Sequence, residues 1–176
     1  FDTLQQCDLS ILPKTMDIMA LAYGAVIAEA VENLTEDYSP QEEIFILLQQ
    51  ALVLLSSHNK RLVVVSSLCK LLSLCGFDPE LETCTTCHGK IEGDAYFSTV
   101  QGGVVCDNCS IGAELPFAVG TRELMLKLQH LDFENPEKFV VRGADLMQLE
   151  QTLYKFLVYQ TDKPLVSLQF LAQMSV

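Results

Sequence analysis

Apolar residues recur at helical spacing through most of the chain. Residues 15–34 carry small and apolar side chains with this period, and Thr15 is placed to cap the start of the helix. The next helix is predicted to begin at Ser39, because Ser39 and Glu42 have the spacing of a capping box. An apolar stripe follows and predicts the core-facing side of this helix. The stripe comprises Ile44, Leu47, Leu48, Ala51 and Leu55.

The third helical segment, residues 60–75, is apolar almost all round. Asn59 stands where it can cap the first turn, and Gly76 stands where it can end the helix in a left-handed conformation. A helix without a polar face is buried on all sides. The pattern therefore predicts that this helix lies at the centre of a bundle.

After Gly76 the helical period is lost and the chain becomes rich in Gly, Thr and Asp. Short alternating pieces at residues 95–97 and 104–105 flank Gly102 and Gly103, and this arrangement is typical of a β-hairpin. The segment has few apolar residues, so something other than a core of its own must hold it together.

Four of the seven cysteines form two C-x-x-C pairs that lie eighteen residues apart. The pairs are Cys84 with Cys87 and Cys106 with Cys109. Each pair supplies two sulfurs from one turn, and the spacing is typical of two knuckles around one tetrahedral Zn²⁺. Binding of zinc would supply folding energy that the polar segment lacks. The pattern predicts one structural zinc ion per chain.

Three other roles for these thiols fit the sequence less well. A catalytic zinc has three protein ligands and an open position, whereas four thiolates close the site. A thioredoxin-like redox centre uses one C-x-x-C at the start of a helix in a βαβ unit, and no such unit is predicted. A secreted disulfide scaffold disagrees with the odd cysteine count and with Cys69 and Cys75 inside a helical pattern. We therefore predict that the protein is not an enzyme.

Helical periodicity returns over residues 120–131 and 143–160, and a short last helix is predicted over residues 165–174. The predicted fold is mainly α, a helical bundle with a small inserted four-cysteine zinc module that contains the β-hairpin. The predicted domains are a helical domain of residues 1–80 and 111–176 and a zinc-binding module of residues 81–110.

The charge of the chain narrows the choice of partners. The formal net charge is −12, and residues 1–59 contain one base and nine acids. Affinity for nucleic acid depends on cations that neutralise phosphates, so a broad DNA-binding surface is not expected here. Polar residues interrupt the most apolar segments, which fall short of the roughly 20 residues of a bilayer span. We predict a cytoplasmic protein without a membrane segment.

The cysteine module and its flanks also carry a resemblance. The segments "LCGFDPELETCTTCHG" and "AYFSTVQGGVVCDNC" are preceded by "EEIFILLQQALVLLSS" and followed by "YQTDKPLVSLQFL". In this order they resemble the C-terminal part of the RecO family of recombinational DNA repair proteins over essentially the whole chain. Family members begin with an OB-fold domain, a module that binds single strands. The resemblance implies that this domain is absent here, in agreement with a first residue, Phe1, that is not Met.

The resemblance implies a bacterial recombination mediator. RecO-like proteins bind single- and double-stranded DNA, anneal complementary strands, engage RecR and the C-terminal tail of single-stranded DNA-binding protein, and help RecA to load. Because the OB-fold is absent, we expect DNA contact mainly outside this chain, and we expect a nucleoid-associated location. The rival interpretation is a stand-alone zinc-stabilised adaptor between proteins with no direct DNA role.

Lys60, Arg61 and Lys70 are the cationic residues of the third helix. An acidic peptide that ends in an apolar residue and a carboxylate needs cations beside an apolar pocket. We hypothesise that these three residues help to hold the tail of single-stranded DNA-binding protein. The alternative is that Lys60 and Arg61 only solvate the start of the helix. Tyr96 and Phe97 are assigned to a small core of the hairpin, with stacking on bases as the alternative.

Overall fold

The computed structural model describes residues 17–35, 41–136, 140–168 and 171. The predicted mainly α class, with a helical bundle and a small hairpin-containing cysteine module, is confirmed, and a short C-terminal helix begins at Val166. No described helix combines the length and apolarity that crossing a membrane requires. The longer helices are α1 (Ile18–Leu34), α2 (Glu42–Leu55), α3 (Lys60–Leu74), α4 (Val119–Gln129) and α5 (Gly143–Thr161), and the strands are β1 (Ala95–Ser98), β2 (Gly103–Val105) and β3 (Leu115–Phe117).

Helix α3 lies at the centre of the bundle, as predicted. It packs against α1, α2, α4 and α5, and more than half of its residues are buried. Asn59 caps its start, where the side-chain oxygen accepts the N–H of Leu62 at 3.2 Å. Gly76 follows its end with φ of +78°, a left-handed conformation that glycine adopts without steric cost. The apolar run between these two signals is therefore one helix that other helices cover.

If Thr15 were its cap, helix α1 would begin two residues earlier than it does. The cap is Asp17, whose Oδ1 accepts the N–H of Ala20 at 2.6 Å. Aspartate is the better capping residue of the two, and its negative charge also faces the positive end of the helix. The assignment to Thr15, which lies outside the described residues, is thus wrong.

Helix α2 begins at Glu42, so Glu42 is its first residue and cannot be the third residue of a capping box. Gln41 precedes it without a side-chain capping bond, and Ser39 lies outside the described residues. Glu42 and Glu43 in the first turn supply the negative charge that favours a helix start. The predicted stripe does face the core. Ile44, Leu47, Ala51 and Leu55 are buried and Leu48 is half-buried.

The sheet has the order β2-β1-β3 with both pairs antiparallel. The β1–β2 pair is the predicted hairpin, and Phe97 of β1 lies opposite Val104 of β2 and Leu115 of β3. Strand β3 was not predicted from the sequence. It lies beyond residue 110, the predicted end of the module, so the sheet continues into the chain that leads to α4.

An aromatic cluster joins the sheet to the bundle. Phe97 is fully buried, and its ring centroid lies 5.3 Å from that of Phe117 and 5.4 Å from that of Phe156 on α5. The Phe97–Phe156 pair is edge-to-face, a favoured geometry for aromatic rings. Phe97 is therefore a core residue shared by the two parts of the fold, and its burial excludes stacking on a base.

Side-chain hydrogen bonds reinforce this junction at the start of α4. Asp94, which precedes β1, accepts the N–H of Val119 at 2.8 Å. Gln148 of α5 accepts the N–H of Ala118 at 2.9 Å and the hydroxyl of Thr121. The first turn of α4 is thus capped by residues from the sheet side and from α5 together, since no side chain of its own caps it.

Candidate metal centre

The first C-x-x-C pair lies on a turn that closes on itself. The N–H of His88 donates to the carbonyl of Cys84 at 2.8 Å, and the N–H of Cys84 donates to the carbonyl of Gly89 at 2.8 Å. His88 itself has φ of 60°, a left-handed conformation that histidine adopts more readily than most residues. Cys84 and Cys87 therefore come from a single tight turn.

The second pair follows β2 without a gap. Cys106 comes directly after the strand, and the N–H groups of Cys109 and Ser110 both donate to its carbonyl at 3.0 Å. This turn presents Cys106 and Cys109 from one loop in the same way as the first turn presents its pair. The predicted two-knuckle arrangement is thus visible in the backbone.

Close packing of the first knuckle on β2 brings the two turns together. The N–H of Thr85 donates to the carbonyl of Val104 at 2.9 Å, and the N–H of Val104 donates to the carbonyl of Glu80 at 2.8 Å. Gly103 lies between these contacts, and a Cβ there would be 2.5 Å from the Glu80 carbonyl oxygen. Any larger residue would push the two segments apart, so this approach requires a glycine.

The four cysteine sulfurs form a compact cluster in which all Sγ atoms lie within 4.8 Å of one another. The Cys87 and Cys106 sulfurs are 3.9 Å apart. Four thiolates around one Zn²⁺ at about 2.3 Å have sulfurs about 3.8 Å apart, so the cluster has the size of a zinc site. His88 does not belong to it. The donor set and its spacing fit a tetrahedral metal ion held by Cys84, Cys87, Cys106 and Cys109.

The backbone around Cys84 favours the thiolate form that a metal requires. Burial disfavours its ionisation, but N–H groups of Cys106, Cys87 and Thr86 that point at the sulfur outweigh burial and lower its pKa to about 6. One of these bonds, from the N–H of Cys106, measures 3.4 Å. Hydrogen bonds with the sulfurs of Cys106 and Cys87 raise the pKa of Cys109 to about 12. Metal binding would replace this proton sharing with four metal–sulfur bonds.

Four sulfur ligands leave no coordination position for a water or a substrate. A metal ion bound in this way would give two chain segments a common anchor. The metal would hold the first knuckle, β2 and the second knuckle in one unit whose sheet packs on α5.

Comparison with known proteins agrees with this geometry. The family model described as recombination protein O C terminal matches residues 16–169. The chain belongs to the RecO family. Among RecO proteins, the DNA repair protein RecO of Pelotomaculum thermopropionicum is 30% identical over 174 residues, which cover 97% of the chain and 68% of that protein.

Two further RecO proteins give similar values. That of Desulforamulus reducens is 27% identical over 158 residues, with 88% of the chain and 62% of the relative covered. That of Bacillus pumilus is 28% identical over 177 residues, with 98% and 69% covered. The chain thus spans about two thirds of the length of these RecO proteins. Their name supports a role in DNA repair.

The cations proposed to bind a partner do not form one cluster in this RecO chain. Lys60 pairs with Asp17 at 3.2 Å, and Arg61 makes two hydrogen bonds with the carboxylate of Glu150 on α5, one of 2.9 Å from Nε. Both lie in the first turn of α3. The pair with Glu150 is bidentate, which is the strongest form of this contact.

Lys70 lies about 14 Å further along α3 by helix geometry. Its amine donates to the carbonyl of Gln129 at 3.1 Å and lies 5.3 Å from the centre of the Phe133 ring. Burial lowers the pKa of Lys70, and the nearby carboxylate of Asp132 opposes that effect. Lys70 therefore belongs to a different surface from Lys60 and Arg61. Their binding of a partner stays a prediction.

Two carboxylates that order the knuckle loops were not identified from the sequence. Glu80 accepts the N–H groups of Glu82 and Thr83 at 2.8 and 2.9 Å just before the first knuckle. Glu114 accepts the N–H of Gly112 at 3.1 Å and the hydroxyl of Ser110 at 2.8 Å just after the second. These bonds lower the pKa of both carboxyls. Glu80 bonds to an N–H two residues after it, a local pattern that the sequence can suggest. Glu114 bonds to residues that precede it, and this arrangement has no such sequence pattern.

Proposed function

We propose that this chain is the helical and zinc-binding part of a recombination mediator that acts in bacterial DNA repair. The match of the family model over residues 16–169 carries the proposal. The mediator breaks no covalent bond: it anneals complementary strands and helps RecA to load, in the cytoplasm and at the nucleoid. RecR, single-stranded DNA-binding protein and DNA are its partners.

The zinc ion in this proposal is structural and numbers one per chain. Cys84, Cys87, Cys106 and Cys109 bind it, and the clustered sulfurs support this assignment. The ion fixes the sheet so that Phe97 reaches α5. The zinc-binding module therefore supports the surface of the bundle and does not catalyse a reaction.

DNA contact belongs mainly to the OB-fold domain that RecO-like proteins place before this part. The composition of the chain supports this division, since 23 acids oppose 11 bases. A surface of this charge repels phosphates over roughly the Debye length, about 8 Å at physiological salt.

The tail of single-stranded DNA-binding protein is proposed to bind beside Arg61. An apolar cavity of about 210 Å³ opens there, and its walls include Val64, Leu68, Leu153 and Tyr154 next to the Arg61–Glu150 pair. An apolar terminal residue fits such a wall, and a carboxylate of the tail can compete with Glu150 for the guanidinium. Lys60 adds positive charge at the same end of α3.

Titration of a labelled tail peptide tests this site. In the protein with Lys60→Gln and Arg61→Gln together, we expect affinity for the peptide to fall at least tenfold. Lys155→Gln on the exposed face of α5 is the matched control and should leave affinity unchanged. Equal affinity of the double variant and the parent would reject the site.

The function as a whole is tested with the full protein, including its OB-fold. Complementary strands coated with single-stranded DNA-binding protein should anneal faster in its presence, and the Cys84→Ser and Cys87→Ser double variant should lose most of this effect. Absence of any acceleration by the parent protein would contradict the proposal.

A stand-alone protein adaptor is the second candidate. The observation that favours it is the charge of −12 together with the pairing of Lys60 and Arg61 to carboxylates. An adaptor would bind RecR or the tail peptide but would neither bind DNA nor anneal strands when an OB-fold is included.

A further inference from the structure

A groove runs between α2 and the segment that follows α4. One wall is formed by Ile46, Gln50 and Val53 of α2, and the other by residues 133–136. It continues past Phe133 to Lys70 at its far end. We call this surface the α2 groove. It lies apart from the cysteine cluster and from the cavity beside Arg61.

The apolar residues of the α2 groove lie at helical spacing. Ile46 and Val53 are seven residues apart, which is about two helical turns and 10 Å along α2. They are 42% and 37% exposed, respectively, so part of each side chain faces solvent in the groove. Leu47 and Leu54 beside them are buried in the core and fix the position of the wall. A face of this length matches two turns of a partner helix laid into the groove.

The charged residues around the α2 groove are mostly acidic. Glu43, Asp132 and Glu134 contribute carboxylates, and Glu134 is anchored by a contact with Gln50 at 3.4 Å. Lys70 is the one lysine or arginine among the described lining residues, and its amine is already engaged by the Gln129 carbonyl and the Phe133 ring. An acidic peptide would meet repulsion here, whereas lysine or arginine side chains would be attracted by these negative charges.

We propose that the α2 groove is a docking site for a basic amphipathic helix of a protein partner. Apolar side chains of the partner at i, i+3 or i+4, and i+7 contact Ile46 and Val53, and its cations face Asp132, Glu134 and Glu43. This site is distinct from the one proposed for the acidic tail beside Arg61. It assigns Lys70 to the far end of the α2 groove and not to the binding of an acidic tail.

The test uses two labelled fifteen-residue peptides and fluorescence anisotropy with the full protein. One has leucine at i, i+3, i+4 and i+7 with lysine on the opposite face, and the second has glutamate in place of each lysine. We expect the lysine peptide to bind at least tenfold more tightly than the glutamate peptide. No binding of the lysine peptide at 1 mM, or equal binding of both peptides, would overturn the proposal.

Variants separate the α2 groove from general attraction to an acidic protein. The double variant Ile46→Ser with Val53→Ser should bind the lysine peptide at least tenfold more weakly than the parent. The double variant Asp132→Asn with Glu134→Gln should bind it several-fold more weakly. The matched controls are Ile18→Ser with Leu21→Ser, an exposed apolar pair on α1, and Glu32→Gln with Glu92→Gln. If the controls weaken binding as much as the groove variants do, attraction is non-specific and the proposal fails. All substituted side chains are exposed, and a circular dichroism melt of each variant verifies the fold.

Discussion

At the scale of single residues, the cysteine cluster depends on contacts that the C-x-x-C spacing does not reveal. The C-x-x-C pairs predict the ligands, but Cys84 differs from the others because its side chain is fully buried and backbone N–H groups point at its sulfur. Cys87 is the exposed member of the cluster. The four cysteines therefore have different environments, although the sequence pattern does not distinguish them.

This inequality leads to a prediction for Cys84→Ser. The substitution removes one of four ligands at the buried corner, where water cannot easily replace it, so we expect bound zinc to fall from one per chain to well below one. Metal content by mass spectrometry of the purified protein measures it. Cys75→Ser is the control, because Cys75 ends α3 outside the cluster and should leave zinc content unchanged. Full zinc content in Cys84→Ser would show that the cluster is not the site.

Glu29 gives a second prediction at this scale. Its carboxylate accepts the N–H groups of Val166 and Ser167 at 2.8 and 2.9 Å and also the Ser167 hydroxyl, so it caps the C-terminal helix. Burial would raise the pKa of Glu29, but these hydrogen bonds outweigh burial and lower it below its ordinary value. A cap of this kind stabilises a protein by about 1 kcal/mol.

We therefore expect Glu29→Ala to reduce the free energy of unfolding by about 1 kcal/mol at pH 7. Because the folded pKa is the lower one, the stabilisation is present above the ordinary pKa and is lost as the pH falls through the folded value. The difference between the parent and Glu29→Ala should accordingly shrink below about pH 4. Urea unfolding at several pH values measures it, with the exposed Glu32→Ala as control. A constant difference down to pH 3 would contradict the assignment.

At the scale of elements, the junction between sheet and bundle decides whether the fold behaves as one unit. Phe97 of β1 contacts Phe117 of β3 and Phe156 of α5, and all three rings are buried. Loss of a buried phenylalanine side chain leaves a cavity and typically costs about 3–5 kcal/mol.

Phe97→Ala should therefore destabilise the protein by about 3–5 kcal/mol. Helical circular dichroism should report this loss, although the substitution lies in a strand, because the removed ring packs on α5. Val100→Ala is the control, since Val100 lies at the turn of the same hairpin and is 70% exposed. If Phe97→Ala unfolded only the sheet and left the helical signal intact, the shared core would be disproved.

Periodic elements were predictable from the sequence, and elements that depend on a distant partner were not. Helix α3 follows from its apolar pattern and from Asn59 and Gly76, because these signals are local. Strand β3 is three residues long with Pro116 at its centre, so it has neither the length nor the alternation of a strand. It exists because the edge of β1 offers it hydrogen bonds. The capping of the C-terminal helix by Glu29 also joins distant residues, since Glu29 and Val166 are 137 positions apart.

At the scale of the whole molecule, the cysteine cluster and the bundle are connected through this junction. A module that shared no core with the helices would release zinc without affecting them. Here the knuckles hold β2, β2 pairs with β1, and Phe97 of β1 packs on α5. Part of the binding energy of a zinc ion held by the knuckles would therefore stabilise the bundle.

Removal of zinc should lower the melting temperature of the helical signal. If about 3 kcal/mol of the binding energy reaches the bundle, a chain of this size melts roughly 6–12 °C lower. Thermal melts at 222 nm with and without a strong chelator measure the shift, and added zinc should reverse it. The Cys84→Ser variant is the control, because chelator should have little further effect on it. An unchanged melt of the parent protein after complete metal loss would show that the module folds independently.

The charge of the molecule leads to the last prediction. The chain carries −12, and a zinc ion held by four thiolates has a net charge of about −2, so the loaded chain is more acidic still. The 23 acidic residues of the chain outnumber its 11 basic residues. DNA binding without sequence preference requires several free cations along a surface.

This chain without an OB-fold should therefore bind a single-stranded oligonucleotide more weakly than about 10⁻⁴ M at 0.15 M salt, the weak end of non-specific binding. Addition of the OB-fold should tighten binding by orders of magnitude and make it strongly dependent on salt. Submicromolar binding by this chain alone would mean that its helical bundle has a DNA-binding surface. The proposal that DNA contact lies mainly in the OB-fold would then be wrong.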